Sequence, residues 1–309
     1  MNEDRLCQIL DAFSRLTVLV VGDFFLDKYL VIDPALEEVS LETGLAAHQV
    51  VERRTSPGAA GTVVSNLRAL GVKVIALGVT GDDGNGYELA RDLRARGADI
   101  AAVEQLPDWF TPTYTKPVMR GSNGAERELE RLDIQNRRPL PPDAERRVIA
   151  RLRELVPQAG GVAIADQVAA PHGGLITPAV RAELAALARA HPGKPFLADS
   201  RARIGLFREV MLKPNRAEAR RAAGAGESAE AWGRILQRRA GRPVFVTLGA
   251  EGILVCEREG VRRVPAVPVS GPLDPVGAGD SVMAGTLAAL CAGATPVEAA
   301  LVGNLAASV

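Results

Sequence analysis

Near its C-terminal end the chain carries a Gly-Ala-Gly run that leads into an acidic residue: Leu273-Asp274-Pro275-Val276-Gly277-Ala278-Gly279-Asp280-Ser281. Glycines without Cβ atoms let backbone N–H groups approach a ligand closely. The apolar segment that Asp280 opens reads as a helix. A helix N-terminus presents unpaired N–H groups and the positive end of a dipole, so it attracts an anion. A carboxylate beside such a cradle can take a proton from an attacking hydroxyl. Cradle and base together are what phosphoryl transfer to an alcohol requires. The simpler alternative is a tight turn with Asp280 as an ordinary helix N-cap.

Two further segments carry polar groups at informative spacing. In Leu212-Lys213-Pro214-Asn215-Arg216-Ala217-Glu218-Ala219, Pro214 keeps Lys213 extended, Asn215 can cap the helix starting at Arg216, and Glu218 stands three residues later. A capping box accounts for that pair, and it is compatible with a second role beside a cation. In Val246-Thr247-Leu248-Gly249-Ala250-Glu251-Gly252 a strand ends in a hydroxyl followed by a Gly-rich turn. Its hydroxyl and N–H groups could contact phosphates, or it could be a plain turn between strands.

Taken in order, the three segments resemble the PfkB/ribokinase family of sugar kinases, whose C-terminal signature is Asp-Thr-x-Gly-Ala-Gly-Asp; Pro275 stands here in place of the Thr. The resemblance implies ATP and Mg²⁺ as cofactors and Asp280 as general base. Gly277, Ala278 and Gly279 form the anion cradle, in which the N–H groups of Ala278, Gly279 and Asp280 stabilise developing charge. Asn215 and Glu218 organise Mg²⁺ through water. A hard cation that keeps several waters suits such an outer-shell role. Thr247 and Gly249 touch nucleotide phosphates, and Asn304, in the helix opened by Thr295-Pro296-Val297-Glu298, lies near the adenine.

The N-terminal half matches as well. Gly22-Asp23-Phe24-Phe25-Leu26-Asp27 resembles the family's first strand with its sugar-contacting Asp, so Asp23 and Asp27 are expected at the sugar. Ser56-Pro57-Gly58-Ala59-Ala60-Gly61-Thr62 lies where the family has Gly-Gly-Ala-Ala-Asn, with Ala59 for the second Gly and Thr62 for the Asn. Gly58 and Thr62 are thereby expected at the sugar, although one hydroxyl lacks the two-sided pairing of an amide. Within the family the arrangement is most similar to bacterial heptose-phosphate kinases, through Ser40-Leu41-Glu42, Pro112-Thr113-Tyr114-Thr115-Lys116 and Arg131-Leu132-Asp133. Lys116 and Arg120 could bind a substrate phosphate as charged donors, or be solvated.

The elements that must position these residues read as an α/β chain. Thr17-Val18-Leu19-Val20-Val21-Gly22 is a buried strand, as are Val72 to Leu77, Gly161 to Asp166, Pro195 to Asp199 and Val244 to Gly249. Helices are expected from Thr62 to Leu70, from Pro178 to Ala190 and around Ala229 to Arg239. The alternation predicts a three-layer α/β/α sandwich with a mostly parallel sheet, and ligands at the carboxyl ends of its strands, where Asp23, Asp166, Asp199 and Thr247 fall. Insertions at about 24–55 and 111–133 break the alternation. The resemblance makes them a small β-sheet lid over the sugar, the alternative being two surface excursions; residues 1–309 then form one ribokinase-like domain, with a homodimer through the lid.

The 309 residues carry 37 basic and 37 acidic side chains, so net charge gives no reason to expect nucleic acid or an anionic membrane as partner. Cys7, Cys256 and Cys291 are too far apart for a metal cluster or a disulfide framework, and no segment reads as a signal peptide or membrane span. Cytoplasm is the expected location. The expected partner is a small sugar or sugar phosphate, phosphorylated on a hydroxyl. A nucleoside or vitamin-like alcohol as acceptor, or a sugar-binding protein that has lost catalysis, are the competing readings.

Overall fold

The computed structural model describes residues 1–121, 123–171, 173–268 and 277–308. The stretch Leu273 to Val276, which holds Asp274 and Pro275 of the opening motif, lies outside them. So does His172. In chain order α1 (Glu3–Ala12) precedes β1 (Thr17–Gly22), β2 (Phe24–Ile32), β3 (Glu38–Val39), β4 (Ala46–Ala47) and β5 (Val50–Ala59). Then come α2 (Ala60–Ala69), β6 (Lys73–Gly81), α3 (Gly84–Ala95), β7 (Asp99–Leu106), β8 (Thr113–Arg120), β9 (Glu126–Glu128) and β10 (Leu132–Ile134). The second half contains α4 (Pro142–Leu155), β11 (Gly161–Asp166), α5 (Pro178–Ala190), β12 (Phe196–Ser200), β13 (Met211–Leu212) and α6 (Arg216–Ala223). It closes with α7 (Ala229–Ala240), β14 (Val244–Thr247), β15 (Ile253–Cys256), β16 (Val261–Val264), α8 (Ala278–Cys291) and α9 (Pro296–Ala306).

The apolar, β-branched run of β1 becomes an interior strand because both of its faces can be covered. Nine strands form one sheet in the order β7-β6-β1-β11-β12-β13-β14-β15-β16. Pairing is parallel from β7 to β14 and antiparallel at β15 and β16. Successive strand residues serve opposite faces, as a period of two requires. Val18 and Val20 pack with Val63, Val64 and Leu67 of α2, Leu89 of α3 and Leu287 of α8. Leu19 and Val21 pack with Val148 and Leu152 of α4, Val180 and Leu184 of α5, and Leu236 of α7. Helices on both faces make the expected three-layer sandwich.

A second sheet, in the order β10-β8-β2-β5 with β9 on β8, is the separate small sheet expected from the insertions. Its strands reach slightly beyond the expected bounds, to Ala59 in β5 and Ile134 in β10. Strand β2 runs antiparallel to β5 but parallel to β8. Only Asp23 separates β1 from β2, so the chain steps directly from the central strand into the small sheet. Helix α3 ties that sheet to the core: Lys28 Nζ lies 2.8 Å from Glu88 Oε2 and Thr55 Oγ1 donates to Asp92 Oδ2 at 2.5 Å.

Candidate active site

Gly277 is the N-cap of helix α8, and its φ of 84° suits a residue without a Cβ. Asp280 N–H and Ser281 N–H both donate to the Gly277 carbonyl at 3.0 Å. Ala278 N–H and Gly279 N–H meet no backbone acceptor among the described residues. The three-N–H cradle of the sequence reading is thus narrowed at one group: the Asp280 N–H is engaged within the helix start. Burial pushes the Asp280 carboxyl up to about 7, and Asp199 adds to the rise, while Lys213 and Arg201 oppose it. A carboxyl that titrates near neutrality is suited to accept a proton from an alcohol.

Beneath α8 lies a buried ion pair. Lys213 is 3% exposed, and its Nζ is 2.9 Å from Asp199 Oδ2. Burial works against the ammonium charge, but Asp199 outweighs it and the group stays above its ordinary range. A Cβ at Gly279 would come 3.6 Å from that Nζ, so the ammonium sits directly under the N-terminal turn of α8. Asn215 and Glu218 form the expected capping box: Glu218 N–H donates to Asn215 Oδ1 at 2.9 Å, and Asn215 N–H to Glu218 Oε2 at 2.8 Å. Burial raises the Glu218 carboxyl above its usual range. The Thr247 N–H donates to the Pro214 carbonyl at 2.9 Å and Thr247 bridges Asn215, so the second and third motifs stand side by side. Gly249, with φ 62°, opens the following turn, and Glu251 within it pairs with Arg216.

The residues expected at the sugar are carried by β2, β5, β8 and α2. Lys116 Nζ is 3.1 Å from Asp27 Oδ1 and donates to the Tyr29 hydroxyl at 3.0 Å. A Cβ at position 58 would fall 2.5 Å from Asp27 Oδ2, so a larger residue there would push that carboxylate from its place against β5. Thr62 Cγ2 lies 3.8 Å from the place a Cβ would take on Gly277, which brings α2 against the start of α8. The charge of Asp27 also raises the Asp280 carboxyl. Asp27, Gly58, Thr62, Lys116 and Asp280 therefore gather at one end of the sheet.

Asp23 and Asn304 are placed otherwise. The Asp23 carboxylate is buried and accepts backbone N–H groups from Gln167 at 2.8 Å, Val168 at 3.0 Å and Leu175 at 2.7 Å. It clasps the loop after β11. Burial and the neighbouring Asp166 push it up to about 6 in spite of those three donors. Asp166 is held in turn by Ser200 and Arg203. Asn304 is buried, and its Nδ2 donates to the carbonyls of Val264 and Pro265 at 3.3 and 2.9 Å, fixing the end of β16 against α9. Arg120 pairs with Glu52 and Glu126 in the small sheet.

Sequence reasoning did not single out Lys213 and Arg201 as site residues. A signal existed for Lys213: a charged residue between a strand and Pro214 occupies the carboxyl edge of the sheet, where ligands bind. Cys256 and Cys291 are pushed by burial up to about 11 and about 12, which leaves them protonated near neutrality and poor nucleophiles.

A mostly parallel α/β sandwich with a small separate sheet, and a Gly-Ala-Gly-Asp segment opening a helix at the strand ends, is the architecture of a class of small-molecule kinases. The chain belongs to the pfkB family of carbohydrate kinases, whose family model matches residues 26–309. Kinases of this family take the phosphoryl group from ATP. The chain is 31% identical over 321 residues to the Bifunctional protein HldE of Pelobacter propionicus, covering 100% of this chain and 62% of that protein. It is 32% identical over 316 residues to the protein of the same name from a Caulobacter species, covering 99% and 61%. The chain thus spans about three-fifths of the length of these curated relatives. Among solved structures, Arabidopsis thaliana ribokinase complexed with ribose and ATP matches with a TM-score of 0.66 at 19% identity, covering 95% of this chain and 91% of that one. The nucleoside kinase of Burkholderia thailandensis in complex with inosine gives 0.62 at 19% identity, covering 94% and 90%. The ribokinase-like fold is shown by these likenesses. No described helix is long and apolar enough to cross a membrane.

Proposed function

We propose that the chain transfers the γ-phosphoryl group of ATP to a hydroxyl of a sugar phosphate of the heptose-phosphate kind, within one domain spanning residues 1–309. The observation that carries this reading is the Asp280 carboxyl, held up to about 7 beside the two N–H groups of Ala278 and Gly279. The acceptor oxygen attacks the γ-phosphorus, its proton passes to an Asp280 carboxylate oxygen, and the bond to the β–γ bridging oxygen breaks to release ADP. The two N–H groups face the charge on the phosphoryl oxygens. Thr247 and Gly249 contact the nucleotide phosphates. Asn304 borders the adenine by holding the end of β16 in place.

Asn215 and Glu218 would hold Mg²⁺ through water. The capping box engages Glu218 Oε2 and leaves Oε1, an oxygen donor of the kind a hard cation prefers. The cation supplies neutralisation of phosphate charge when bound. On the acceptor side Asp27, with Gly58 and Thr62, orients the sugar hydroxyls. Lys116, beside Asp27, is the cation that binds a substrate phosphate, and Asp23 shapes the sugar site by clasping the 167–175 loop. The small sheet acts as the lid and as the face of a homodimer, in the cytoplasm. ADP release from ATP with magnesium, measured against a panel of sugars, sugar phosphates and nucleosides, tests the reading. Turnover of a phosphorylated sugar is expected, with D280N slower by about a hundredfold to ten-thousandfold. Turnover confined to a nucleoside, or a D280N variant as fast as the parent, refutes it.

A further inference from the structure

Two pairs of residues meet where α2 crosses the start of α8. On α2, Thr62 and Asn66 are one turn apart and so share a face. On α8, Gly277 and Ser281 have the same spacing. Thr62 Cγ2 stands 3.8 Å from the Cβ position of Gly277, and Asn66 Nδ2 donates to Ser281 Oγ at 3.1 Å. Four residues along each helix lead from one contact to the next. Around them the packing is apolar: Val63, Val64 and Leu67 of α2 share a cluster with Val282, Met283 and Leu287 of α8.

Apolar contacts hold two helices together but specify rotation about their axes weakly, because they have no direction. A hydrogen bond has one. Asp280 immediately precedes Ser281. At about 6 Å from the helix axis its carboxylate moves about 1 Å for every 10° that α8 turns. A misplacement of that size at a reacting centre costs about a hundredfold in rate.

We propose that Asn66 is a positioning residue for phosphoryl transfer: through Ser281 it fixes the rotation of α8 and thereby aims the Asp280 carboxylate at the acceptor hydroxyl. Helix α2 is suited to the task because its first turn follows Gly58, which lies against Asp27. The hydrogen bond therefore connects the strand that meets the acceptor with the helix that carries the base. This inference rests on the reading of Asp280 as base, so its test includes a readout that needs no turnover.

The experiment uses the full chain and compares N66A, S281A, S281T and the N66A/S281A pair with the parent and with D280N. In the nucleotide-free protein, hydrogen exchange at the Asp280 and Ser281 amides, both bonded to the Gly277 carbonyl, should quicken about tenfold in N66A and in S281A. In turnover, N66A and S281A should each lower kcat about tenfold, the loss of one ordinary hydrogen bond, with KM for ATP within about twofold. The double variant should be no slower than either single one, and S281T, which keeps a hydroxyl, should recover most of the rate. Unchanged exchange in N66A, or losses that multiply in the double variant, overturns the inference. A D280N variant with parental turnover overturns the base reading instead, and leaves the exchange result to decide whether Asn66 fixes α8.

Discussion

Ala59 offers the sharpest test of how the acceptor side is built. It joins β5 to α2 with φ 54° and ψ −119°, a conformation that L-residues avoid and glycine adopts freely. Its neighbours hold it there: it pairs with Phe24 in the small sheet, and the next N–H, that of Ala60, donates to the Asp23 carbonyl at 3.0 Å. Backbone strain of this kind costs about 1–3 kcal/mol. Replacing Ala59 by Gly removes the strain. Against this, glycine adds about 0.4–1 kcal/mol of unfolded-state entropy to be lost on folding. The missing methyl, only partly buried, forfeits less than about 0.8 kcal/mol. The balance is a stabilisation of about 1 kcal/mol, or a rise in Tm of about 1–2 °C for a chain of 309 residues. Urea unfolding followed by circular dichroism should show A59G with a higher midpoint at unchanged slope, and A59V, β-branched at the same φ, well below the parent. A lower midpoint for A59G at unchanged slope would mean that Ala59 is not strained and that the β5–α2 junction is held differently.

Three further outcomes follow from the same geometry. Because Asp280 is held up to about 7 and must be ionised to take a proton, kcat/KM should fall about tenfold per unit below that pH. The linkage has a sign of its own: a carboxyl raised from 3.8 to about 7 favours the folded state when protonated, so stability should decline as pH rises through that window, and the parent-minus-D280N difference should carry this decline. A profile flat from pH 5 to 8 in both measurements would remove Asp280 from the mechanism. E218Q keeps an acceptor for the Asn215 N–H and should therefore raise the Mg²⁺ concentration for half-maximal rate more than it lowers Tm; the reverse ordering would make Glu218 a cap alone. K116A frees Asp27 of its cation and should raise KM for a phosphorylated acceptor about tenfold while sparing KM for ATP; equal effects on phosphorylated and neutral sugars would show that Lys116 acts only by holding Asp27.

What the chain disclosed in advance depended on range. Helix α5 was expected and found over Pro178 to Ala190, because a capping Thr, a Pro at the first turn and an Ala/Leu stripe are local signals. The capping box of Asn215 and Glu218 is likewise written within four residues. Strand β7 was not anticipated: Asp99 to Leu106 mixes Ala, Val and Glu at the sheet edge, where half-exposure blurs the pattern. The parallel pairing of β2 with β8 joins residues 87 positions apart, as Leu26 with Thr113, beyond any local signal. Side-chain partners were the least legible. Nothing near Asp23 announces that Gln167, Val168 and Leu175 will occupy its oxygens, and nothing near Lys213 names Asp199; both depend on which strand ends become neighbours. Position 59 was conspicuous only as an Ala where the pattern it resembles has Gly, and the positive φ supplies the physical reason that Gly suits it.

The burial of α8 has a consequence for how the chain is made. Val63, Val64 and Leu67 of α2 are fully covered in the finished protein, partly by a helix that begins at Ala278. A ribosome adding about 5–20 residues per second needs about 10–40 s to travel from the end of α2 to the start of α8. During that interval the apolar face of α2 and the strands beneath it lack their final cover. The nascent chain is then a client for chaperones that bind exposed apolar segments, and its vulnerability to aggregation should track translation speed between those two helices. Synonymous changes that slow elongation there would lengthen the exposure without altering a single residue of the product.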